Sequence, residues 1–453
     1  MTLILAPFCR KNLMIKRMLC LPVCLLLLTV CSNLPVAEAQ SLADVKKVDA
    51  SYRYRIVGEH RVGACQAYVV EMTSQTWQGK PWKHWLSILV PAKVTHQDAA
   101  VLFITGGSSR SGQPKPDSGE ARLMSYIATL AQSPIVILQQ VPNQPLQGNR
   151  YEDDLIALTF DKFVKNEGDD WPLLLPMVES AVRAMDTTAA VMKAKQDQAI
   201  KRFVVSGASK RGWTTWLTAA ADERVVAIAP MVIDVLNMQP QMEQQVKSYG
   251  KYSRMIQPYL EFDIPNRMKT KRGQLLTNLV DPYAYREKLT LPKLIILGTN
   301  DPYWTVDASS LYFPSLSGPK HLYYLANAGH GLGAQIAPTM AYFFKKSLDG
   351  ETLSAMKWEV SPDGRFRAKW REEGGQAKLW KATSKTRDFR ESKWTSQPLE
   401  GANAVVTEVP EPDQGWAAYY IEVEFPGLPL LKYSLTTEIQ VFPKRFPFSV
   451  ERK

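Results

Sequence analysis

Cysteine and histidine are scarce in this chain of 453 residues, which has only five of each. Four of the cysteines, Cys9, Cys20, Cys24 and Cys31, crowd into a beginning with the marks of a cleaved export signal. Arg10, Lys11, Lys16 and Arg17 precede an apolar run from Met18 to Val30, and Ala37-Glu38-Ala39 has the small-x-small form of a signal-peptidase site. With residues 1–39 removed, Cys65 is the lone thiol and no internal disulfide can form. It lies in the β-like run Cys65-Gln66-Ala67-Tyr68-Val69-Val70, a setting for a buried inert thiol rather than a nucleophile. The histidines (His60, His84, His96, His321, His330) show no paired ligand spacing, so no metal and no cofactor is expected.

Long apolar runs are missing after residue 39, so no stable transmembrane anchor is expected. Leu28-Thr29-Val30-Cys31 resembles a lipoprotein signal, but Val30 fills a position that takes a small residue. A soluble exported chain, periplasmic or secreted, is therefore expected ahead of a lipid-anchored one. Charge of one sign is not concentrated either. The formal net charge is +11, and the chain after residue 39 keeps 51 basic and 43 acidic residues, a net +8. Lys and Arg are scattered, which argues for a solvated surface and against a nucleic-acid interface. The excess leaves room for weak attraction to anionic envelope polymers or substrates.

What the chain does have is an alternation of buried strands and amphipathic helices. Alternating residues between Tyr52 and Val90, such as Trp85-Leu86-Ser87-Ile88-Leu89-Val90, predict antiparallel strands. Ala99–Thr105 then reads as a deeply buried strand that ends in Gly106-Gly107-Ser108-Ser109. A helix over 120–131, a strand over 135–140, a helix over 173–194 and strands at Val204-Val205 and 225–233 follow in β-α-β order. Between Asn237 and Pro292 the strand pattern gives way to a polar helical stretch with Tyr249, Tyr252, Tyr259 and Phe262, expected as a lid over the sheet. Strands at Leu294–Leu297 and His321–Leu325 and a helix over 338–348 complete the pattern. Beyond Gly350 short alternating runs (Phe366–Trp370, Tyr419–Phe425, Ser434–Val441) predict a separate antiparallel sandwich. The expected division is a leader over 1–39, an α/β domain over 40–349 with its lid at 237–292, and a β-sandwich over 350–453. The last carries no visible catalytic constellation, and its partner is unknown.

One turn gives this framework a chemistry. Val204-Val205-Ser206-Gly207-Ala208-Ser209-Lys210-Arg211-Gly212-Trp213 is an apolar strand that runs through a Gly-x-Ser turn into a helix, which is how an α/β-hydrolase presents its nucleophile. The usual second glycine is displaced by one position, with Arg211 in its place and Gly212 after it. Leu294-Ile295-Ile296-Leu297 leads to Asp301, the expected orienting carboxylate, and Ala328-Gly329-His330-Gly331 supplies the expected base. The order Ser209, Asp301, His330 is that of the α/β-hydrolases. The backbone amide of Lys210 and the Gly106–Gly107 turn are the expected oxyanion donors. Asp234 is the alternative acid and Asp307 a weaker third. Trp304 and Arg211 are candidates to contact substrate, and Trp213 and Trp216 are expected to pack. Taken singly, each of these residues has an ordinary structural reading as a turn serine, a surface histidine or a helix-capping acid. Their joint placement carries the prediction of a serine esterase acting on a small-molecule or cell-envelope ester. A non-catalytic secreted binding or signalling protein on the same scaffold is the alternative.

Four stretches also resemble the PhoPQ-activated pathogenicity-related protein family of exported α/β-hydrolase-like proteins. They are Ser206–Thr214, Pro230–Asn237, Gly298–Trp304 and Asn327–His330, to which Arg387-Asp388-Phe389-Arg390 with Trp394 adds. The resemblance implies the fold and export more firmly than it implies a reaction. The Gly-x-Ser-x-Arg-Gly turn is also similar to that of glucuronoyl esterases, where the basic residue lies near the oxyanion.

Overall fold

The computed structural model describes residues 41–116 and 118–449, so the expected leader, its four cysteines and its cleavage site lie outside the described residues. The chain opens with three long antiparallel strands, β1 (Arg53–Val62), β2 (Cys65–Trp77) and β3 (Lys80–Pro91). Next come β4 (Ala99–Ile104) and β5 (Ile135–Leu138), with β3 pairing β5 antiparallel and β5 pairing β4 parallel. Parallel pairing continues from β4 through β6 (Arg202–Ala208), β7 (Val225–Met231), β8 (Lys293–Gly298) and β9 (Lys320–Leu325). The strands β4, β5 and β8 are buried along their whole length. They read as unbroken apolar runs because helices cover the sheet on both faces.

Those helices are α1 (Gly119–Ala131), α2 (Glu152–Val164), α3 (Leu174–Gln196) and α4 (Lys210–Ala221). The helical stretch expected as a lid contains α5 (Met238–Tyr249), α6 (Gln257–Glu261), α7 (Ile264–Arg267) and α8 (Lys271–Val280), and α9 (Ala337–Leu348) closes the sequence of helices. Helices α1 and α9 pack together, and α3 packs with α4, giving two apolar cores on the sheet's two faces. This is the α/β-hydrolase fold, a mixed sheet whose central strands from β5 to β9 run parallel, with the strand-to-helix turn at Ser209 near its middle. The sequence reading passed over α2, although its Glu152, Asp153 and Asp154 crowd the first turn, where acids favour a helix start. It packs against α6, α7 and α8. Cys65 is fully buried, and burial raises its thiol pKa.

The C-terminal region is β-rich and antiparallel. Its strands are β10 (Lys357–Val360), β11 (Arg365–Lys369), β12 (Gln376–Ser384), β13 (Thr395–Leu399), β14 (Ala404–Glu408), β15 (Trp416–Pro426), β16 (Lys432–Thr436) and β17 (Gln440–Phe442). A small sheet of β10, β11 and β14 stands apart, whereas β16 pairs β9 through Thr436 and Leu322 and so continues the main sheet. The Thr436 hydroxyl accepts the Tyr324 N–H at 3.1 Å, and the Tyr324 and Tyr420 rings lie 6.1 Å apart across the join. Contacts tie the described residues into one compact unit. The run expected over Ser434–Val441 is divided, because β16 follows Glu422–Pro426 of β15 and β17 follows Ala417–Tyr419. Between them Thr437 bonds both polar backbone groups of Ile421, donating its N–H at 2.9 Å and accepting at Oγ1 at 3.0 Å.

Candidate active site

Ser209 stands between the end of β6 and the start of α4, with φ 59° and ψ −125°. A serine in that region is strained by about 1–3 kcal/mol, so the surroundings must hold it there. Its N–H donates to the Met231 carbonyl at 2.9 Å, and its carbonyl accepts the Trp213 N–H at 3.0 Å. Gly207 is required by the tightness of the corner, since a Cβ there would meet the Arg211 carbonyl carbon at 2.9 Å. The displaced glycine is explained in the same way. A Cβ at Gly212 would stand 2.9 Å from the Met231 carbonyl oxygen, so α4 needs its second glycine at the approach to β7.

The structure brings the three separated residues together. His330 Nε2 lies 2.8 Å from Ser209 Oγ, and His330 Nδ1 lies 2.8 Å from Asp301 Oδ2. With a carboxylate on Nδ1, the proton belongs to that nitrogen, and Nε2 is left to accept from the serine hydroxyl. Asp301 Oδ1 accepts the Tyr303 N–H at 2.9 Å, which fixes the carboxylate plane. The turns that carry Asp301 and His330 are tied to each other, Asn300 N–H to Ala328 O at 2.9 Å and Asn327 N–H to Thr299 Oγ1 at 2.9 Å. They are also tied to the C-terminal region. Asn300 Nδ2 reaches the carbonyls of Phe389, Arg390 and Ser392 at 3.4, 3.1 and 2.7 Å. Asn327 pairs with Trp394 through two bonds, of 3.0 and 2.8 Å.

The other two acids have different partners. Asp234 is buried and accepts the Tyr312 hydroxyl at 2.6 Å. Burial pushes its pKa up to about 7, with the nearby charges of Asp301 and Asp307 adding to the rise against the Tyr312 bond. Asp307 forms a buried ion pair with Arg387, Nη2 to Oδ2 at 2.6 Å.

Lys210 opens α4, where a backbone N–H has no partner within its own helix. Across from it, both carbonyls of the Gly106–Gly107 turn are held: Gly106 O accepts the Gln140 N–H at 2.8 Å and Gly107 O the Gln144 side chain at 3.2 Å. Fixing a carbonyl fixes the amide that shares its peptide plane. Arg211, expected beside the substrate, lies against Gly106 with its guanidinium otherwise engaged. It makes a bidentate pair with Glu152 at 2.7 and 2.6 Å and donates from Nε to Val141 O at 2.5 Å. Burial pushes the Glu152 carboxyl up, but Arg211 and Gln144 together bring it below its ordinary range. The Lys210 ammonium is also paired, 2.7 Å from Asp153 Oδ2. Asp153 further accepts the hydroxyls of Tyr303 at 2.9 Å and Tyr259 at 3.0 Å. Burial, then the Asp153 charge, raises the pKa of both tyrosines. The Tyr303 ring lies 4.5 Å from the His330 ring at 33°.

Ser209 and His330 open onto a cavity between the sheet and the stretch expected as a lid. Trp304 and Trp213 line it, and Trp213 in addition packs and donates Nε1–H to Val280 O at 2.6 Å. Sequence reasoning missed Glu152, Asp153 and Tyr303, and named Tyr259 only as part of the expected lid. Tyr303 alone carried a signal, two positions past Asp301. Among the described residues, no group of three or more His, Cys, Asp or Glu could hold a metal ion. No helix there is long and apolar enough to cross a membrane.

A sequence model of the PhoPQ-activated pathogenicity-related proteins matches residues 42–390, from the first described turn to the segment that braces Asn300. The chain belongs to this family. Autocrine proliferation repressor protein A of Dictyostelium discoideum is 29% identical over 450 residues, covering 89% of this chain and 90% of that one. Similar solved structures include acetyl xylan esterases from a Thermoanaerobacterium species (15% identical, TM-score 0.47, 68% of this chain and 90% of that one) and a Paenibacillus species (14%, 0.48, 67% and 90%). A glucuronoyl esterase from Solibacter usitatus is 12% identical with a TM-score of 0.41, over 68% of this chain and 90% of that one.

Proposed function

We propose that this protein is an exported serine hydrolase that cleaves carboxylic esters through an acyl-enzyme. The observation that carries the reading is the chain of two 2.8 Å hydrogen bonds from Ser209 through His330 to Asp301. In the first step Nε2 of His330 takes the Ser209 proton as Oγ bonds to the ester carbonyl carbon, and Asp301 stabilises the imidazolium that forms. The tetrahedral oxyanion meets the Lys210 amide and an amide of the Gly106–Gly107 turn, each such donor typically worth ~3 kcal/mol. Collapse expels the alcohol, which takes the proton back from His330. Water then enters, loses a proton to His330 and releases the acid, and Ser209 regains its hydrogen. Residues 237–292 act as the lid over this site, and residues 1–39 as the leader that exports it. The substrate is a small-molecule or cell-envelope ester.

A second reading, a secreted signalling protein on the same scaffold, draws on the name of the Dictyostelium relative. One experiment separates the two. A fluorophosphonate probe is expected to label the purified protein at Ser209 and to leave Ser209→Ala unlabelled. Absence of labelling, or labelling that survives the substitution, decides for the non-catalytic reading.

A further inference from the structure

The cavity beside Ser209 is built almost wholly from apolar side chains. Its sheet side presents Trp213, Ile233 and Val235, and its lid side presents Met242, Ile264 and Met268 with their neighbours from α5 to α7. Apart from Ser209, His330 and the indole N–H groups of Trp213 and Trp304, the polar groups on its wall are Asp153, Lys210, Tyr259 and Tyr303. These four are bonded to one another: Asp153 accepts from the other three at 2.7 to 3.0 Å, and the Lys210 ammonium also stands 3.3 Å from the Tyr303 hydroxyl. An anionic group would have to break the Lys210–Asp153 pair to find a cation, and Arg211 is held by Glu152. The two basic residues beside the nucleophile are both neutralised by acids of α2.

We infer that the cavity holds an extended aliphatic acyl chain, and that esters of such acids are the substrate class. This rests on the proposed role of Ser209. The acyl part is the one enclosed because it stays bonded to Ser209 after the first step, whereas the alcohol must leave past His330, whose side chain keeps 27% of its surface exposed. Three methionines on the lid side, Met238, Met242 and Met268, give the cavity an adaptable wall, so preference should be graded over chain length rather than sharp.

The test is hydrolysis of p-nitrophenyl esters from acetate to decanoate, together with alkyl acetates of matching alcohol length. A fully buried methylene contributes about fourfold in binding. Even with partial burial, kcat/KM for octanoate should exceed that for acetate by about thirtyfold or more. Met242→Trp, which fills the cavity, should lower the octanoate-to-acetate ratio by about tenfold. Equal or better turnover of acetate, or a dependence on the alcohol's length instead of the acyl's, overturns the inference while leaving Ser209 as nucleophile. Binding of octanamide to Ser209→Ala, followed by tryptophan fluorescence, reads the cavity without turnover. Saturable binding supports the acyl site even if no ester is cleaved. No binding overturns the inference whatever the fluorophosphonate probe shows.

Discussion

Ser209 is held by the chain immediately around it and by the adjoining strand, whereas Asp301 and His330 are held by the C-terminal region. The serine's strained backbone is pinned by Met231 and by the close packing of Gly207 against α4. The acid and base turns instead rest on the side-chain amides of Asn300 and Asn327, which bond Phe389, Arg390, Ser392 and Trp394. Trp394 itself is buried against Tyr420 of β15, with ring centroids 5.3 Å apart. One half of the site is therefore a local device, and the other depends on docking a segment that follows the last helix of the α/β part. The C-terminal region holds none of Ser209, Asp301 and His330, yet its residues 389–394, between β12 and β13, fix where two of them stand.

The comparison can be broken most directly at the acid. Asp301→Asn leaves the geometry and removes the charge that fixes the histidine tautomer, so kcat should fall by roughly 10⁴-fold, while Asp234→Asn should change it by no more than about threefold. Steady-state kinetics on a p-nitrophenyl ester measures both, and the reverse pattern would move the orienting role to Asp234.

A smaller effect tests the bracing. Asn300→Ala removes the amide that gathers three carbonyls, and a misplacement of about 1 Å can cost 10²-fold in rate. The double variant with Asn327→Ala should lower kcat about 10- to 100-fold with KM nearly unchanged, and should slow fluorophosphonate labelling of Ser209. Full activity with undiminished labelling would show that the C-terminal contacts are incidental.

The smallest effect is on stability. The Asp234 carboxyl has its pKa raised from 3.8 to about 7 by burial, facing Tyr312 with Asp301 and Asp307 nearby. Because the folded protein holds this proton more tightly than the unfolded chain, the contribution is full below about pH 4 and is lost as pH rises through about 7. Urea unfolding should therefore show Asp234→Asn gaining on the parent by about 1–2 kcal/mol between pH 5 and pH 8. A difference that does not change with pH would mean that Asp234 is ionised throughout.

What could be read from the sequence follows the same division. The buried strands were legible because a parallel sheet covered on both faces leaves unbroken apolar runs, as in Ala99–Ile104 and Leu294–Leu297. The turns bearing Ser209, Asp301 and His330 were legible because each follows such a strand. Residues that act through distant partners left no local trace. Glu152 meets Arg211 across 59 positions, Asp153 meets Tyr303 across 150, and Asn300 meets Ser392 across 92. The Arg211–Glu152 pair is invisible for this reason, since a basic residue beside a nucleophile looks the same in sequence whether it faces a ligand or a carboxylate of another helix. The join of β16 to β9 was hidden as well, because a single facing pair, Thr436 and Leu322, imposes no pattern on either strand.

That join has a consequence for any shortened version of the protein. A chain ending at residue 349 would strip β9 of β16 on its outer edge, uncovering Leu322, which faces Thr436, and the Tyr324 N–H that the Thr436 hydroxyl accepts. Such an open flank is a ready template for pairing with another molecule. Truncation there should yield self-associating material rather than a smaller monomeric hydrolase.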